Sequence, residues 1–365
     1  MTEKELFQLN IEEPDHDIYA RAKARFDSLA KPIDGFGDLE DVICRIAAIH
    51  RKEIPDISKK SVIVMFADSR VVESGVSQTG SDVTRDVAGL TGEGRSTLCV
   101  MTSGYPIEVI GVDIGMDHDG DIPGIVNMKV ARGAGNIEKE PAMTREECLS
   151  AIENGIRIVE RCAKSGTGLI ATGEMGIGNT TTATALLCAL TGDDPKTITG
   201  RGAGLSDEGL ARKRSVIVNA LNLHGYNKYD KNASGVPGRT YAFDALSRVG
   251  GLDIAGLCGA FIGGGIYHVP VVIDGLISAV AALAASYIVP GCERYMVASH
   301  KGREKGCESS LSRLGLKSLI DADMALGEGT GAVMIIPVID MVYRVYNSGT
   351  SFETAQIQQY RRYDN

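Results

Sequence analysis

The sequence lacks an excess of basic residues and contains no basic run. It has 38 lysines and arginines against 47 aspartates and glutamates, which gives a formal net charge of -9. Nucleic acids and anionic membrane surfaces bind proteins through clustered positive charge. We therefore expect no nucleic-acid partner and no membrane partner, and a small molecule as the ligand.

The eight cysteines include no C-x-x-C pair, and the six histidines show no H-E-x-x-H or similar spacing. Zinc sites depend on clustered ligands, and disulfide frameworks occur mainly in small secreted domains. We expect free thiols in a reducing cytoplasm, no metal and no cofactor.

We also expect no secretory signal and no membrane span. The amino-terminal stretch MTEKELFQLNIEEPDHD is charged and has no apolar core of the kind that signals contain. The apolar segment 269–290 is interrupted by Asp274 and Gly275, and the part after them is too short for a helix to cross a bilayer. We predict a strand, a turn and a buried helix there, in a soluble cytoplasmic protein.

Five apolar runs predict strands that are buried on both faces of a parallel sheet. They are SVIVMFAD (61–68), IEVIGVDIGMD (107–117), TGLIATGE (167–174), VPVVIDG (269–275) and RYMVASH (294–300). Helical patterns separate them: Thr144 and Glu147 form a capping box, and Ser206 begins a second helix that we expect Gly225 to end. This alternation predicts an α/β fold with a doubly wound, mainly parallel, Rossmann-like sheet.

A polar residue stands at or just after the end of each predicted strand. These residues are Asp68, Asp113, Glu174, Asp274 and His300. In open parallel sheets, ligands bind at the edge where the carboxyl ends of the strands meet. Any one of the five could be an ordinary turn or cap residue. Together they indicate a ligand site at that edge.

The stretch GEMGIGNTTTATALLCAL (173–190) follows a predicted strand and begins a predicted helix. Glycines let the backbone approach an anion, and the N–H groups at a helix N-terminus favour negative charge. The stretch is not a Walker A loop, because no Lys-Ser or Lys-Thr follows the glycines. Its order G-x-x-G-x-G also differs from the dinucleotide fingerprint G-x-G-x-x-G. It indicates a phosphate site of another kind, with a tight structural turn as the alternative.

Two more glycine-rich stretches carry candidate side chains. In TGRGAGLSDEGLARKR (199–214), Lys213 lies about two turns into a predicted helix, where it could contact a phosphate or face solvent. In LGEGTGA (326–332), Glu328 stands between glycines and could be a general base or an exposed turn residue. The sequence contains no G-x-S-x-G nucleophile elbow, so it gives no indication of acyl-transfer chemistry.

The motifs GEMGIGNTTTA, GRGAGL with DEGLARKR, VGGLDIAG, VPVVIDGLIS and LGEGTGA resemble, in the same order, those of nicotinate-nucleotide–dimethylbenzimidazole phosphoribosyltransferases. ADSRVVESGVSQTGSDVT and PAMTREE resemble two earlier segments, and the resemblance covers roughly residues 20–355. It implies transfer of 5-phosphoribose from nicotinate mononucleotide to an aromatic base, which releases nicotinate. The α-ribosyl nucleotide formed is the lower ligand of cobalamin-type cofactors.

The resemblance also implies an architecture and an assembly. Residues 60–335 would form a large α/β domain, and residues 1–59 and 336–365 a small, mostly helical domain. The spaced apolar residues at the N-terminus agree with this, because they predict helices separated by Pro32 and Gly35. The implied assembly is a homodimer without metal, or a heterodimer with a paralogue.

Roles for single residues follow from the same resemblance. Glu328 matches the catalytic glutamate, and Glu174 would hold the ribose hydroxyls. The 5′-phosphate would bind to Gly176, Ile177, Gly178, Asn179, Thr180, Gly202, Gly204 and Lys213. The base would bind among Gln78, Thr79, Val83, Val87 and Leu326. We also predict that Asp274 binds the substrate, because it lies at the end of a predicted strand.

The sequence departs from the family pattern at Ser69-Arg70, Glu140 and Gly302. We hypothesise that the acceptor could be another benzimidazole, a purine or a phenol; a phenol-using branch of the family works as paired paralogous subunits. Two further alternatives are a non-catalytic or weakly catalytic subunit paired with an active paralogue, and a nicotinamide-dinucleotide oxidoreductase.

Overall fold

A six-stranded, fully parallel sheet forms the centre of the protein in a computed structural model that describes residues 1–226 and 237–361. Its strands are β1 (Lys60–Ala67), β2 (Ile107–Gly115), β3 (Val126–Asn127), β4 (Leu169–Met175), β5 (Val271–Ile273) and β6 (Met296–Ala298). Their order is β3-β2-β1-β4-β5-β6. The direction of winding therefore reverses between β1 and β4. All five predicted strands are confirmed, whereas the two-residue β3 was not predicted.

A second, two-stranded parallel sheet pairs β7 (His300–Gly302) with β8 (Ile320–Met324). The predicted strand 294–300 is therefore divided between two sheets. Residues Met296–Ala298 pair in the central sheet, and the chain passes through Ser299 into the second sheet at His300. No apolar run marks β8, because its sequence IDADM is half polar and its residues are partly or fully exposed.

Helices surround the central sheet. They are α1 (Glu3–Gln8), α2 (His16–Ser28), α3 (Asp38–His50), α4 (Asp82–Gly92), α5 (Thr97–Thr102), α6 (Arg145–Lys164), α7 (Asn179–Thr191), α8 (Pro195–Ile198), α9 (Asp207–Leu223), α10 (Arg239–Val249), α11 (Leu252–Tyr267), α12 (Leu276–Ile288), α13 (Lys305–Arg313), α14 (Thr330–Met334), α15 (Ile336–Ser348) and α16 (Phe352–Ala355). The capping box at Thr144 is confirmed. Ser206 caps α9, which ends two residues before Gly225.

Alternate side chains of β1 enter two different cores, because successive residues of a strand point to opposite faces. Ile63 and Met65 join a core that includes residues of α6, α7, α11 and α12. Val62 and Val64 join a core that includes residues of α2, α3, α14 and α15. Both faces of the sheet are therefore covered, which confirms the doubly wound α/β fold.

The helices near the two chain ends pack against each other. The Phe26 ring lies 4.8 Å from the Tyr346 ring, centroid to centroid, and Arg25 Nε donates to the Tyr346 carbonyl at 2.9 Å. Both aromatic residues belong to the core that also contains Val62 and Val64 of the sheet. The division into domains 1–59 with 336–365 and 60–335 stays a prediction.

The apolar segment 269–290 contains β5, a turn at Asp274 and Gly275, and the buried helix α12, as predicted. Among the helices of the described residues, none combines the length and apolar character that crossing a membrane requires. All eight cysteines are free thiols. Most of the polar segment 226–240, which is rich in turn residues, lies outside the described residues.

Candidate active site

A cavity of about 190 Å³ opens at the carboxyl edge of the central sheet. The end of β4, the loop before α7, the residues after β5 and the turn before α14 line it. Glu174, Asp274 and His300 line the cavity, whereas Asp68 and Asp113 do not. Three of the five polar strand-end residues therefore meet in one site: Glu174 lies at the end of β4, Asp274 follows β5, and His300 begins β7 shortly after β6.

Glu174 is a buried acid at the end of β4. Its Oε2 accepts a hydrogen bond from Nδ2 of Asn179, the first residue of α7. The same Nδ2 donates to Oδ2 of Asp253 at 3.1 Å. Burial, followed by the negative charges of Asp253 and Asp274, raises the pKa of Glu174 well above its usual value. Burial also raises the pKa of Asp253 to about 6.

Asp274 uses both carboxylate oxygens to hold the backbone that begins α14. Its Oδ2 accepts the N–H of Gly329 at 3.1 Å, and its Oδ1 accepts the N–H of Ala332 at 2.9 Å. The first N–H groups of a helix have no partner within the helix, so a carboxylate satisfies them. Asp274 therefore fixes the turn that carries Glu328.

Glu328 occupies the left-handed region with φ +60°, between Gly327 at +90° and Gly329 at +85°. This conformation is costly for a residue with a side chain, and the surrounding structure has to hold it in place. The turn packs on β4 at Gly173, where an added Cβ would lie 2.5 Å from the Gly329 nitrogen. Burial and the charge of Asp274 raise the pKa of Glu328. A carboxylate with a raised pKa is better suited to accept a proton near neutral pH.

The loop Gly176–Gly178 leads into the N-terminus of α7, as the glycine pattern predicts. Gly178 has φ +91°, and a Cβ on it would lie 3.0 Å from side-chain atoms of Val71 and Val72. The N–H of Ile177 already donates to Thr84 Oγ1 at 3.3 Å. Gly176, Ile177, Gly178, Asn179 and Thr180 all line the cavity. The thirteen-residue helix α7 thus directs its N-terminus toward this space.

Lys213 is only 1% exposed, and its Nζ donates to Thr180 Oγ1 at 2.8 Å. Burial lowers the pKa of Lys213 to about 8, against the opposing charge of Glu304. Gly202 lies beside it with φ +54°, and its N–H donates to Glu304 Oε1 at 2.8 Å. The buried Lys213 ammonium and the N-terminus of α7 together form a donor set that fits an anion, whereas the Gly202 N–H is already bonded to Glu304.

The residues assigned to the base pocket are not all in one place. Gln78 and Leu326 line the cavity, and Gln78 Nε2 donates to the Gly204 carbonyl. Thr79 is exposed, Val83 and Val87 lie on α4, and none of the three lines the cavity. Their roles stay predictions.

Sequence reasoning missed several cavity residues. The apolar part of the lining includes Val76, Met175 and Met324. Met175 stands inside the motif GEMGIGNTTTA but received no role of its own, and Met324 ends β8, which carries no motif. Asp253 was also missed, although the Gly-Gly that precedes it at the start of α11 is a visible signal.

The departures from the family pattern lie in different environments. Ser69 caps a short 3₁₀ helix (Arg70–Ser74), and Arg70 is exposed; neither lines the cavity. Glu140 is exposed as well. Gly302 lines the cavity, and a Cβ on it would lie 3.5 Å from Cys307 and 3.9 Å from His300 Nε2. Of these departures, Gly302 is the one that alters the cavity wall.

Comparisons with known proteins identify the family to which the chain belongs. A family model described as phosphoribosyltransferase matches residues 11–357. The chain is 43% identical over 337 residues to nicotinate-nucleotide–dimethylbenzimidazole phosphoribosyltransferase of Acetivibrio thermocellus, which covers 92% of this chain and 93% of the relative. A protein of the same name from Ruminiclostridium cellulolyticum is 39% identical over 352 residues, or 96% and 97% of the two chains. The crystal structure of CobT from Thermus thermophilus matches with a TM-score of 0.85 at 34% identity, covering 94% of this chain and 100% of that one.

Proposed function

Because the chain belongs to the family of nicotinate-nucleotide–dimethylbenzimidazole phosphoribosyltransferases, we propose that it transfers 5-phosphoribose from nicotinate mononucleotide to dimethylbenzimidazole or a related base. The products are nicotinate and an α-ribosyl nucleotide for cobamide synthesis. The observation that carries the proposal is one cavity that contains both Glu328 and the glycine loop beside Lys213. The dinucleotide oxidoreductase alternative is not supported by this family.

The leaving group of the donor, nicotinate, needs little help to depart. Its pyridinium nitrogen is bonded to the anomeric carbon and carries a positive charge. The ring departs as a neutral pyridine ring, so no proton has to be supplied. The enzyme's task at this step is to stabilise the positive charge that develops on the ribose. Glu174 and Asp274 are buried acids that line this cavity, and in their charged form they supply negative potential to it.

The acceptor is the weak reactant. A neutral benzimidazole must lose a ring proton as its other nitrogen attacks, so a general base has to stand on the acceptor side. Glu328 fills this role, because it is partly buried and its pKa is raised by burial and by Asp274. Attack opposite the leaving nicotinate inverts the β-nucleotide to an α-product.

The 5′-phosphate anchors the donor. The N-terminus of α7 and the Lys213 ammonium supply the positive side of the site. A phosphate beside Lys213 favours the charged ammonium, which offsets the effect of burial on its pKa. The glycines at 176 and 178 leave room for the phosphate to approach the backbone.

The acceptor itself is chosen by the apolar part of the cavity. Val76, Met175, Met324 and Leu326 offer a wall that suits an aromatic ring, and methionine side chains adapt to rings of different shape. We assign dimethylbenzimidazole as the preferred base; other benzimidazoles, purines and phenols are the alternatives.

Competition among bases tests this function. The purified chain is incubated with nicotinate mononucleotide and equimolar dimethylbenzimidazole, benzimidazole, adenine and p-cresol, and the nucleotides are separated and identified by mass. We expect the α-ribosyl nucleotide of dimethylbenzimidazole to dominate. A phenolic product would favour the paralogous-pair alternative. No nucleotide with any base would refute the proposed function for the single chain.

The assembly that we propose is a homodimer. Val100 on α5, Met334 on α14 and Met341 on α15 are exposed at 67%, 43% and 59%. The helix α5 packs against α14, which runs directly into α15, so these apolar side chains lie on adjoining helices. Light scattering of the purified chain gives the mass directly, and a monomer at micromolar concentration would contradict the proposal.

A further inference from the structure

Asp253 is a buried acid that the proposed chemistry does not use directly. It is the second residue of α11, it is 3% exposed, and it does not line the cavity. Burial raises its pKa, and the Asn179 amide and the backbone N–H groups of Ile254 and of its own residue oppose that rise. A carboxylate buried in this way is costly unless its oxygens are bonded. Its position therefore calls for an explanation.

The explanation lies in the Asn179 amide. One nitrogen, Nδ2, donates one hydrogen to Glu174 Oε2 and the other to Asp253 Oδ2. An amide NH₂ has two hydrogens, so this contact uses both of them. The amide can face Glu174 in this orientation only while an acceptor stands on its other side. Asp253 is that acceptor.

The bridge determines where Glu174 points. Because Oε2 is held by Asn179, Oε1 faces the turn at Gly327, where an added Cβ would lie 3.5 Å from it. Gly176 permits the arrangement, since a Cβ there would lie 3.3 Å from Asp253 Oδ2 and 3.4 Å from Asn179 Nδ2. The ends of β4, α7 and α11 thus meet in one hydrogen-bonded unit beneath the glycine loop.

We propose that Asp253 is a positioning residue that aims Glu174 at the ribose of the mononucleotide through the side-chain amide of Asn179. This inference rests on the proposed function, because the ribose is its ligand. Asp253 contributes to binding of the ribosyl donor and not to binding of the acceptor base. Loss of Asp253 releases the Asn179 amide, which in turn releases Glu174.

A double-mutant cycle tests the pathway. Asp253→Ala, Asn179→Ala and the double variant are compared with the full-length parent chain. The affinity for nicotinate mononucleotide is measured by calorimetry, and KM and kcat are measured for both substrates. We expect D253A to weaken mononucleotide affinity roughly tenfold or more, the usual effect of removing a partner of a charged group. The KM for the base should not change.

In the N179A background, D253A should change the mononucleotide affinity less than about twofold, because the link it acts through is already absent. Glu40→Gln is the matched control: Glu40 is 2% exposed in the first turn of α3 and bonds to Lys23 and Lys31, away from the cavity. It should lower the melting temperature and leave mononucleotide affinity unchanged. If D253A does not fold by circular dichroism, Asp253→Ser replaces it.

Two results would overturn the positioning role: a mononucleotide affinity of D253A within twofold of the parent, or an effect of D253A that persists in full in the N179A background. The two proposals fail separately. A parent chain that binds the mononucleotide but forms no nucleotide product refutes the proposed function, while the calorimetric cycle still tests Asp253. A parent that does not bind the mononucleotide refutes both.

Discussion

Glu328→Gln removes the group that accepts the proton of the attacking base. The amide has almost the same shape as the carboxylate, and the left-handed turn between Gly327 and Gly329 is unaffected by the exchange. The two backbone bonds from Asp274 also remain, because they involve Gly329 and Ala332 and not the Glu328 side chain. The variant therefore isolates proton acceptance.

General-base catalysis contributes roughly 10²- to 10⁴-fold, which corresponds to about 2.7–5.4 kcal/mol of transition-state stabilisation. Glu174 is poorly placed to substitute, since its Oε2 is bonded to Asn179. We expect kcat to fall by at least about 100-fold. The KM for nicotinate mononucleotide should change little, because the phosphate site is intact.

The assay is initial-rate formation of α-ribosyl nucleotide from pH 5 to 9. The raised pKa of Glu328 places a limb of rising kcat/KM above pH 4.5 in the parent chain, and E328Q should lack this limb. Glu353→Gln on the exposed helix α16 is the control and should match the parent. A kcat for E328Q within threefold of the parent, or an unchanged pH limb, would refute the assignment of Glu328 as the base.

Three further perturbations test other parts of the site. Lys213→Met should raise the KM for nicotinate mononucleotide roughly tenfold or more. It should also remove the fall in kcat/KM that deprotonation of Lys213 causes as pH rises through about 8. An unchanged KM would contradict the role of Lys213 in binding the phosphate. Glu174→Gln should raise the melting temperature at pH 8 and not at pH 4. A carboxyl whose pKa is raised in the folded state stabilises that state at low pH and loses this contribution as pH rises. Equal melting temperatures of variant and parent at pH 8 would contradict the raised pKa of Glu174. Gly173→Ala should lower both the melting temperature and kcat, because its Cβ would lie 2.6 Å from the carbonyl carbon of Glu328; parent-like kcat would show that the turn can move without cost.

The local features of this protein could be predicted because they depend on neighbours in the chain. Apolar runs identified the strands, since burial on both faces leaves a continuous hydrophobic pattern. The Thr144 capping box and the Ser206 cap involve atoms three residues apart. The glycine loop before α7 and the glycines around Glu328 require backbone conformations that few other residues adopt.

The contacts between distant segments could not be predicted in the same way. Asn179 and Asp253 are 74 positions apart, and their hydrogen bond depends on how α7 and α11 pack against β4. An apolar run also does not specify which strands pair with the strand it forms. A strand that is buried on both faces shows the same apolar pattern at any interior position of the sheet. The predictions for Thr79, Val83 and Val87 assumed that these residues lie in the base pocket. Whether they do depends on how α4 and the residues before it pack, which the sequence does not show.

The sequence by itself therefore determined the five apolar strands and the parallel α/β class, and it predicted roles for Glu174, Lys213 and Glu328 that stay predictions. Tertiary packing determined the strand order, the second sheet of β7 and β8, and the unit of Glu174, Asn179 and Asp253. The physical reason is that propensity, capping and burial period act within a few residues. The orientation of a buried carboxylate depends on partners that the fold brings from far along the chain.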